Sequence, residues 1–219
     1  MSKTNHKFRF QIVDNASTDE NVIEYIKTLA ENEKGHLHRF SEQKSLTECY
    51  NYLLQTVYQE YCIIFPLNCI VGFNWLEDLI TSAEKIENFG CVCIRPIGMD
   101  IQFLPVLHTS ILEPEDYLEN VIETRDAINT VVLFKKELTS IVGNFDVHLQ
   151  SPGFELSEFC FRIKVNGFQN YYIRKQMLYK MRINNEVLFP KMNKDNIAQF
   201  KEAIEIMFKV KNRHLVDNK

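Results

Sequence analysis

The chain is poor in the residues that break regular structure, with seven glycines and six prolines among 219 residues. That scarcity excludes collagen-like, loop-dominated and low-complexity architectures. It also lacks a charge excess: 25 Lys and Arg stand against 29 Asp and Glu, a net charge of −4. Nucleic-acid binders ordinarily show a basic surplus or stripe, so nucleic acid is not an expected partner. No apolar run approaches the ~20 residues that cross a bilayer, and the opening MSKTNHKFRF holds no apolar signal-peptide core. No C-x-x-C pair occurs among the six cysteines. Cys91 and Cys93 would share one face of a strand, but one such pair falls short of the four ligands of a structural zinc. The cysteines are read as reduced and buried, in keeping with a cytoplasmic protein. Neither G-x-S-x-G nor a G-x-x-x-x-G-K phosphate loop is present.

What is there is apolar and periodic. Hydrophobic residues make up 45% of the chain, including sixteen Phe and nine Tyr, enough for one sizeable core. Residues 8–13 read as a strand. Residues 19–33 read as an amphipathic helix through Val22, Ile23, Ile26, Leu29 and Ala30, with Gly35 as its stop signal. Residues 35–40 form a short second strand. Ser45 and Glu48 have the S-x-x-E spacing of a helix start, and that helix runs on towards residue 58. YCIIFP, residues 61–66, is the continuous apolar run of a strand buried on both faces. A helix over 75–87 and a strand over 90–95 follow. This alternation predicts a mainly parallel α/β sheet with helical crossovers.

Residues 96–123 show no clean period. Beyond them, 127–134 is strand-like, 135–141 starts a short helix, 143–146 is a turn, 155–165 is helical and 171–173 is a strand. Residues 193–211 form an amphipathic helix with Ile197, Phe200, Ala203, Ile204, Met207 and Phe208 on one side, followed by a polar tail. His36 and His38 share a strand face and would bind a metal with a third ligand or else face solvent.

The most informative segment is VDNASTD, residues 13–19, where a strand ends in short polar side chains and a helix opens. Such residues cap the helix, and they also hydrogen-bond ligands at the carboxyl end of a sheet. The heptad resembles the second strand of inverting family-2 glycosyltransferases, VDN-S-TD or VDD-S-D. Three later stretches resemble the same family in order. SLTECYNYL at 45–53 matches its GLSAARNxGL helix, with Asn51 at the Asn. YCIIFPLN followed by Trp75-Leu76-Glu77 is similar to its YIxFLDxD…WLE. The fourth runs from VGNFD at 142–146 through Gly153-Phe154-Glu155 to Arg162 and Gly167-Phe168.

The resemblance covers roughly residues 8–173. It implies a GT-A-like nucleotide-diphospho-sugar transferase fold, α/β, with a mixed, mostly parallel central sheet flanked by helices. One domain, 1–219, would comprise a nucleotide-binding half (7–100), an acceptor-side half (101–192) and a C-terminal helix and tail (193–219). It also implies that Asp14, Asn15, Ser17, Asp19, Asn51 and Asn68 line the nucleotide site.

Against the family pattern, three parts of the chemistry are missing. The metal-binding Asp-x-Asp is replaced by Leu67-Asn68-Cys69. Asn68 holds a hard cation only weakly, and Cys69 is too soft for Mg²⁺ or Mn²⁺. The late His ligand is absent between residues 172 and 185. No divalent metal or other cofactor is therefore expected, with a UDP-sugar as donor if the chain is active. The catalytic Glu-Asp pair reads Glu155-Leu156, and Leu accepts no proton. Glu155 or Glu158 would be recruited as base, or Glu158 would form an ion pair with Arg162 one helical turn on. The strand that precedes VDN in the family is expected to be missing, leaving a sheet edge for a protein partner or a second copy to cover. The resemblance thus implies a degenerate glycosyltransferase acting as a binding or assembly module in glycan synthesis. The alternative is an active, metal-independent transferase using a nucleotide sugar.

Overall fold

A computed structural model describes residues 6–66, 69–97, 121–124, 130–149 and 154–180. Strands β1 (Gln11–Asp14) and β2 (His36–Arg39) pair in parallel, Gln11 opposite His36 and Asp14 opposite Arg39. Helix α1 (Glu20–Asn32) makes the crossover and buries Ile26 and Ala30. Its cap is Asp19, whose Oδ1 accepts from Asn21 N–H at 2.8 Å. Gly35 is needed at the return to β2, because a Cβ there would lie 2.8 Å from the Phe10 carbonyl oxygen. Residues 8–10, read as strand, carry no ladder, and β1 begins at Gln11.

Helix α2 (Leu46–Gln55) opens on the anticipated capping box. Glu48 N–H donates to Ser45 Oγ at 3.2 Å, and Ser45 N–H donates to Glu48 Oε2 at 2.9 Å. This helix links the strand pair to the rest of the molecule. At its end, Thr56 Oγ1 donates to Gln11 Oε1 at 2.6 Å, while Leu54 packs into the main core.

The larger sheet contains β3 (Tyr61–Ile64), β4 (Cys69–Val71), β5 (Phe89–Ile97), β6 (Val121–Thr124), β7 (Val132–Lys135) and β8 (Gln169–Lys180). Its order is β3-β7-β5-β8-β4, with β6 also paired to β8. The sheet is mixed. The β5–β8 ladder is parallel, and the ladders of β3 with β7, β5 with β7, β4 with β8 and β6 with β8 are antiparallel.

Strand alternation sorts the core into two layers. Cys62, Cys91, Cys93, Val132 and Phe134 face the helices α2, α4 (Leu138–Val142) and α5 (Glu155–Val165). Val92, Ile94, Val131 and Leu133 face α3 (Trp75–Glu84) through Leu79 and Ala83. Sheet and α5 approach so closely at Gly90 that a Cβ would lie 2.1 Å from Ile163 Cγ2.

Two expectations are revised here. The apolar strand at 61–66 is not buried on both faces: Cys62 is buried, but Tyr61, Ile63 and Ile64 are half-exposed. Among the described residues β3 has a ladder partner on one side, β7. The strand read at 171–173 is twelve residues long, because β5, β4 and β6 each supply it with ladder bonds. The helix read at 193–211 lies outside the described residues.

All six cysteines are free thiols and buried. Burial pushes the Cys62 thiol from 9.0 up to about 11. A thiol raised by folding gives its full stabilisation below the unfolded pKa and loses it as pH climbs through the folded one. Between pH 9.0 and about 11 the fold should therefore lose about 2–3 kcal/mol at this site. Urea midpoints measured across that window should fall, and Cys62→Ala should make the fall shallower.

Candidate functional site

The carboxyl ends of β1 and β2 open onto a shallow, solvent-open cleft of about 550 Å³. Ala16, Ser17, Thr18, Arg39, Phe40 and Ser41 line it. The loop that follows Asp14 is bent by Ala16, whose φ of +59° lies in the left-handed region that a side chain disfavours. Asp14 itself is 3% exposed and sits behind the cleft wall. Its Oδ1 accepts from Ser17 N–H at 3.1 Å, closing the turn. Its Oδ2 lies 3.0 Å from Arg39 Nε but off the line of a hydrogen bond, so the pairing there is ionic. The same guanidinium donates from Nη2 to the Ser17 carbonyl at 2.6 Å. Parallel register causes this meeting, since it sets Asp14 and Arg39 side by side at the strand ends.

Asn15 is spent on the chain itself. Its Nδ2 donates to the Lys44 carbonyl at 2.8 Å, and its Oδ1 accepts from Lys44 N–H at 2.7 Å. The amide thus holds the segment leading into α2 as one more rung of backbone would. Ser17 and Thr18 line the cleft, and Asp19 is exposed at the α1 cap. On the neighbouring face of β2, His38 stacks on Tyr52 of α2 with centroids 3.9 Å apart, and Phe40 meets both rings edge-on. His36 is exposed.

A second group gathers where α2 meets the amino end of α5. Asn51 repeats the Asn15 device: Nδ2 donates to the Phe145 carbonyl at 2.8 Å, and Oδ1 accepts from Phe145 N–H at 2.9 Å. Asn51→Leu should cost about 1–3 kcal/mol, because it strands two backbone groups as well as losing the bonds. A urea titration measures this. An unchanged midpoint would show that the side chain is free for a ligand. Glu155 opens α5 and is buried, and its carboxylate adds to burial in holding the Tyr50 phenol well above its ordinary range. Leu156 is buried in the core. Glu158, 4% exposed, is gripped by Arg162 through Nε–Oε1 at 2.5 Å and Nη2–Oε2 at 2.7 Å. Arg162 also donates to the Val142 carbonyl, tying α5 to the end of α4.

Solved structures with folds of the same kind include two sugar-transferring enzymes. The crystal structure of GalNAc-T7 with UDP, GalNAc and Mn²⁺ superposes at a TM-score of 0.59 over 80% of this chain, at 14% identity. The mannosyltransferase PcManGT from Pyrobaculum calidifontis, in complex with GDP-Man and Mn²⁺, superposes at 0.62 over 81% of this chain, at 15% identity. The fold is GT-A. No family model and no curated protein matches the sequence. The chain spans 38% of the length of GalNAc-T7 and 48% of that of PcManGT, less than half of either.

The GT-A likeness corrects one expectation. A metal-free protein was anticipated, yet both similar structures hold Mn²⁺, which points to metal-dependent enzymes. The residues of this chain that are described do not by themselves form such a site: among them, no three of His, Cys, Asp and Glu converge to hold an ion. Cys69 is buried in β4, and Asn68 lies outside the described residues.

Sequence reading did not single out Arg39. A basic residue ending the strand after VDN is a usable signal only once β1 and β2 are known to be parallel and in this register.

Proposed function

We propose that this chain is a glycosyltransferase-like, GT-A domain that binds or assembles in glycan synthesis without transferring sugar. What carries this reading is the internal use of the side chains that would serve donor and acceptor. Asp14 is paired with Arg39, Asn15 with Lys44, Asn51 with Phe145 and Glu158 with Arg162. The first three each tie two separate segments of the fold together, and the Glu158–Arg162 pair lies within α5. At the position of the family's proton acceptor, a buried Leu156 offers no base. In this reading residues 7–100 form the nucleotide side, 101–192 the acceptor side, and 193–219 a helix and tail. Free, buried thiols favour the cytoplasm, and no described helix is long and apolar enough to cross a membrane.

The assembly role is supported by strand edges. Among the described residues β1 pairs only with β2, and β3 only with β7, so each leaves one side of its backbone for another strand. A protein partner or a second copy of the chain would cover them. Light scattering during size-exclusion chromatography over a range of protein concentrations tests the second copy, and the same run with added strand peptides of this chain tests the open edges. A strict monomer at every concentration that takes up no such strand would sink the assembly role.

The alternative is an active transferase that takes a sugar from a nucleotide-sugar donor. The open cleft at residues 16–18 and 39–41 favours it, with Asp14, Asn15, Ser17, Asp19, Asn51 and Asn68 on the nucleotide and Glu155 or Glu158 as base. Calorimetry with UDP- and GDP-sugars, with and without Mn²⁺, followed by a turnover assay, separates the two. Mn²⁺-enhanced donor binding with release of nucleoside diphosphate overturns the non-catalytic reading. A folded protein that yields no product from any donor overturns the alternative.

A further inference from the structure

We propose that Arg39 is the residue that reads the ligand of the β1–β2 cleft, and that the group it reads is a phosphate. The inference rests on the reading that this cleft binds a ligand. It adds to that reading both the chemical class of the ligand and the residue that selects it.

A guanidinium carries five N–H donors in a rigid fork. At Arg39, Nε faces the buried Asp14 carboxylate and one Nη2 hydrogen goes to the Ser17 carbonyl. The remaining N–H groups have no partner among the described residues. The side chain is 44% exposed and lines the cleft. Asp14 and Ser17 hold the base of the fork from behind, so its outer edge is presented without freezing a mobile side chain on binding. That arrangement suits bidentate donation to a phosphate better than a lysine would.

The residues around Arg39 are compatible with that chemistry: Ser17, Thr18 and Ser41 line the cleft with it, and none of the lining residues is a carboxylate. The Asp14 charge is turned inward, with its side chain 2% exposed. The amino end of α1, directly after Thr18, is already met by its own carboxylates: Asp19 accepts from Asn21 N–H and Glu20 follows, so that end does not add to the attraction and the phosphate is held by Arg39. Phe40 closes the wall beside Arg39, with its ring packed edge-on against His38 and Tyr52.

The phosphate would belong to a nucleotide or to an inorganic anion, and the test distinguishes them. The whole chain is titrated calorimetrically with UDP, uridine and inorganic pyrophosphate in chelator-containing buffer at two salt concentrations. The same titrations are run on R39K and on D14N/R39M, which removes both members of the ion pair so that no charge is left buried alone. The expected result is that UDP binds the wild type more tightly at low salt. UDP should lose at least about tenfold affinity in D14N/R39M and less in R39K, while uridine binding is unchanged in R39K, which leaves Asp14 intact, a loss in line with one charge-assisted fork.

UDP affinity unchanged in both variants overturns the role of Arg39 while leaving nucleotide binding intact. Pyrophosphate binding that Arg39 controls, with no binding of UDP, keeps the phosphate assignment and overturns the nucleotide. A wild type that binds none of the three overturns both. Thermal melts run alongside show whether each variant is folded. Should the double variant fail to fold, R39K, which keeps the charge and loses the fork, decides: UDP affinity equal to the wild type overturns the assignment.

Discussion

Glu158→Ala should lower the free energy of unfolding by about 3–5 kcal/mol, the cost of removing one partner from a buried ion pair. An exposed i,i+4 pair on a helix is worth about a tenth of that. The difference is burial: the Glu158 side chain is 5% exposed and that of Arg162 18%. Alanine at 158 would leave the guanidinium enclosed without its carboxylate, beside the Val142 carbonyl and the Phe159 ring, and the tie between α4 and α5 would loosen. Replacing both residues, as in E158L/R162M, should recover most of the loss, because an apolar pair of similar volume carries no desolvation penalty. Denaturant titration of the two variants reads this directly. The result also bears on function. A general base can be lost without unfolding anything, so an unchanged midpoint in Glu158→Ala together with abolished turnover would overturn the structural account and restore Glu158 as a catalytic candidate.

Phe159→Ala is expected to cost a similar amount, about 3–5 kcal/mol. Phe159 is fully buried, with Phe145 stacked at 4.6 Å and Phe134 edge-on at 5.2 Å. Deleting the ring removes its transfer free energy and leaves a cavity that the β5–β7 sheet on one side cannot move to fill. Phe159→Leu keeps most of the volume and should cost roughly 1–2 kcal/mol. The larger loss should also reach the site, because the Phe145 ring rests on Phe159 while its backbone is held by Asn51. Hydrogen exchange should therefore quicken at residues 143–149 in Phe159→Ala. The variant should couple with Glu158→Ala rather than add to it, since Phe159 also lies under the Arg162 guanidinium at 5.4 Å. Strict additivity of the two would show that the ring and the ion pair act independently.

Local physics explains what could be read early. The capping box at Ser45 and Glu48 is a contact across three residues, so its spacing alone announces it. The helices at 20–32, 46–55, 75–84 and 155–165 were legible because a stripe of apolar residues must face a core somewhere. The strand β4, three residues long, and β6, four residues long, were not legible, since neither has enough alternation to rise above its surroundings. Their strand character comes from β8, which pairs with both.

The candidate site divides in the same way. Sequence alone determined that a strand ends at Asp14 in a run of short polar residues before a helix, and that the core is apolar and aromatic. These are matters of residue type and short-range spacing. Only the tertiary structure decided what each polar side chain touches. Asn15 meets Lys44 across 29 residues, and Asn51 meets Phe145 across 94. Asp14 meets Arg39 because two strands lie parallel in one register. A polar side chain bonds whatever the fold brings within about 3 Å, and that neighbour is chosen by packing far along the chain.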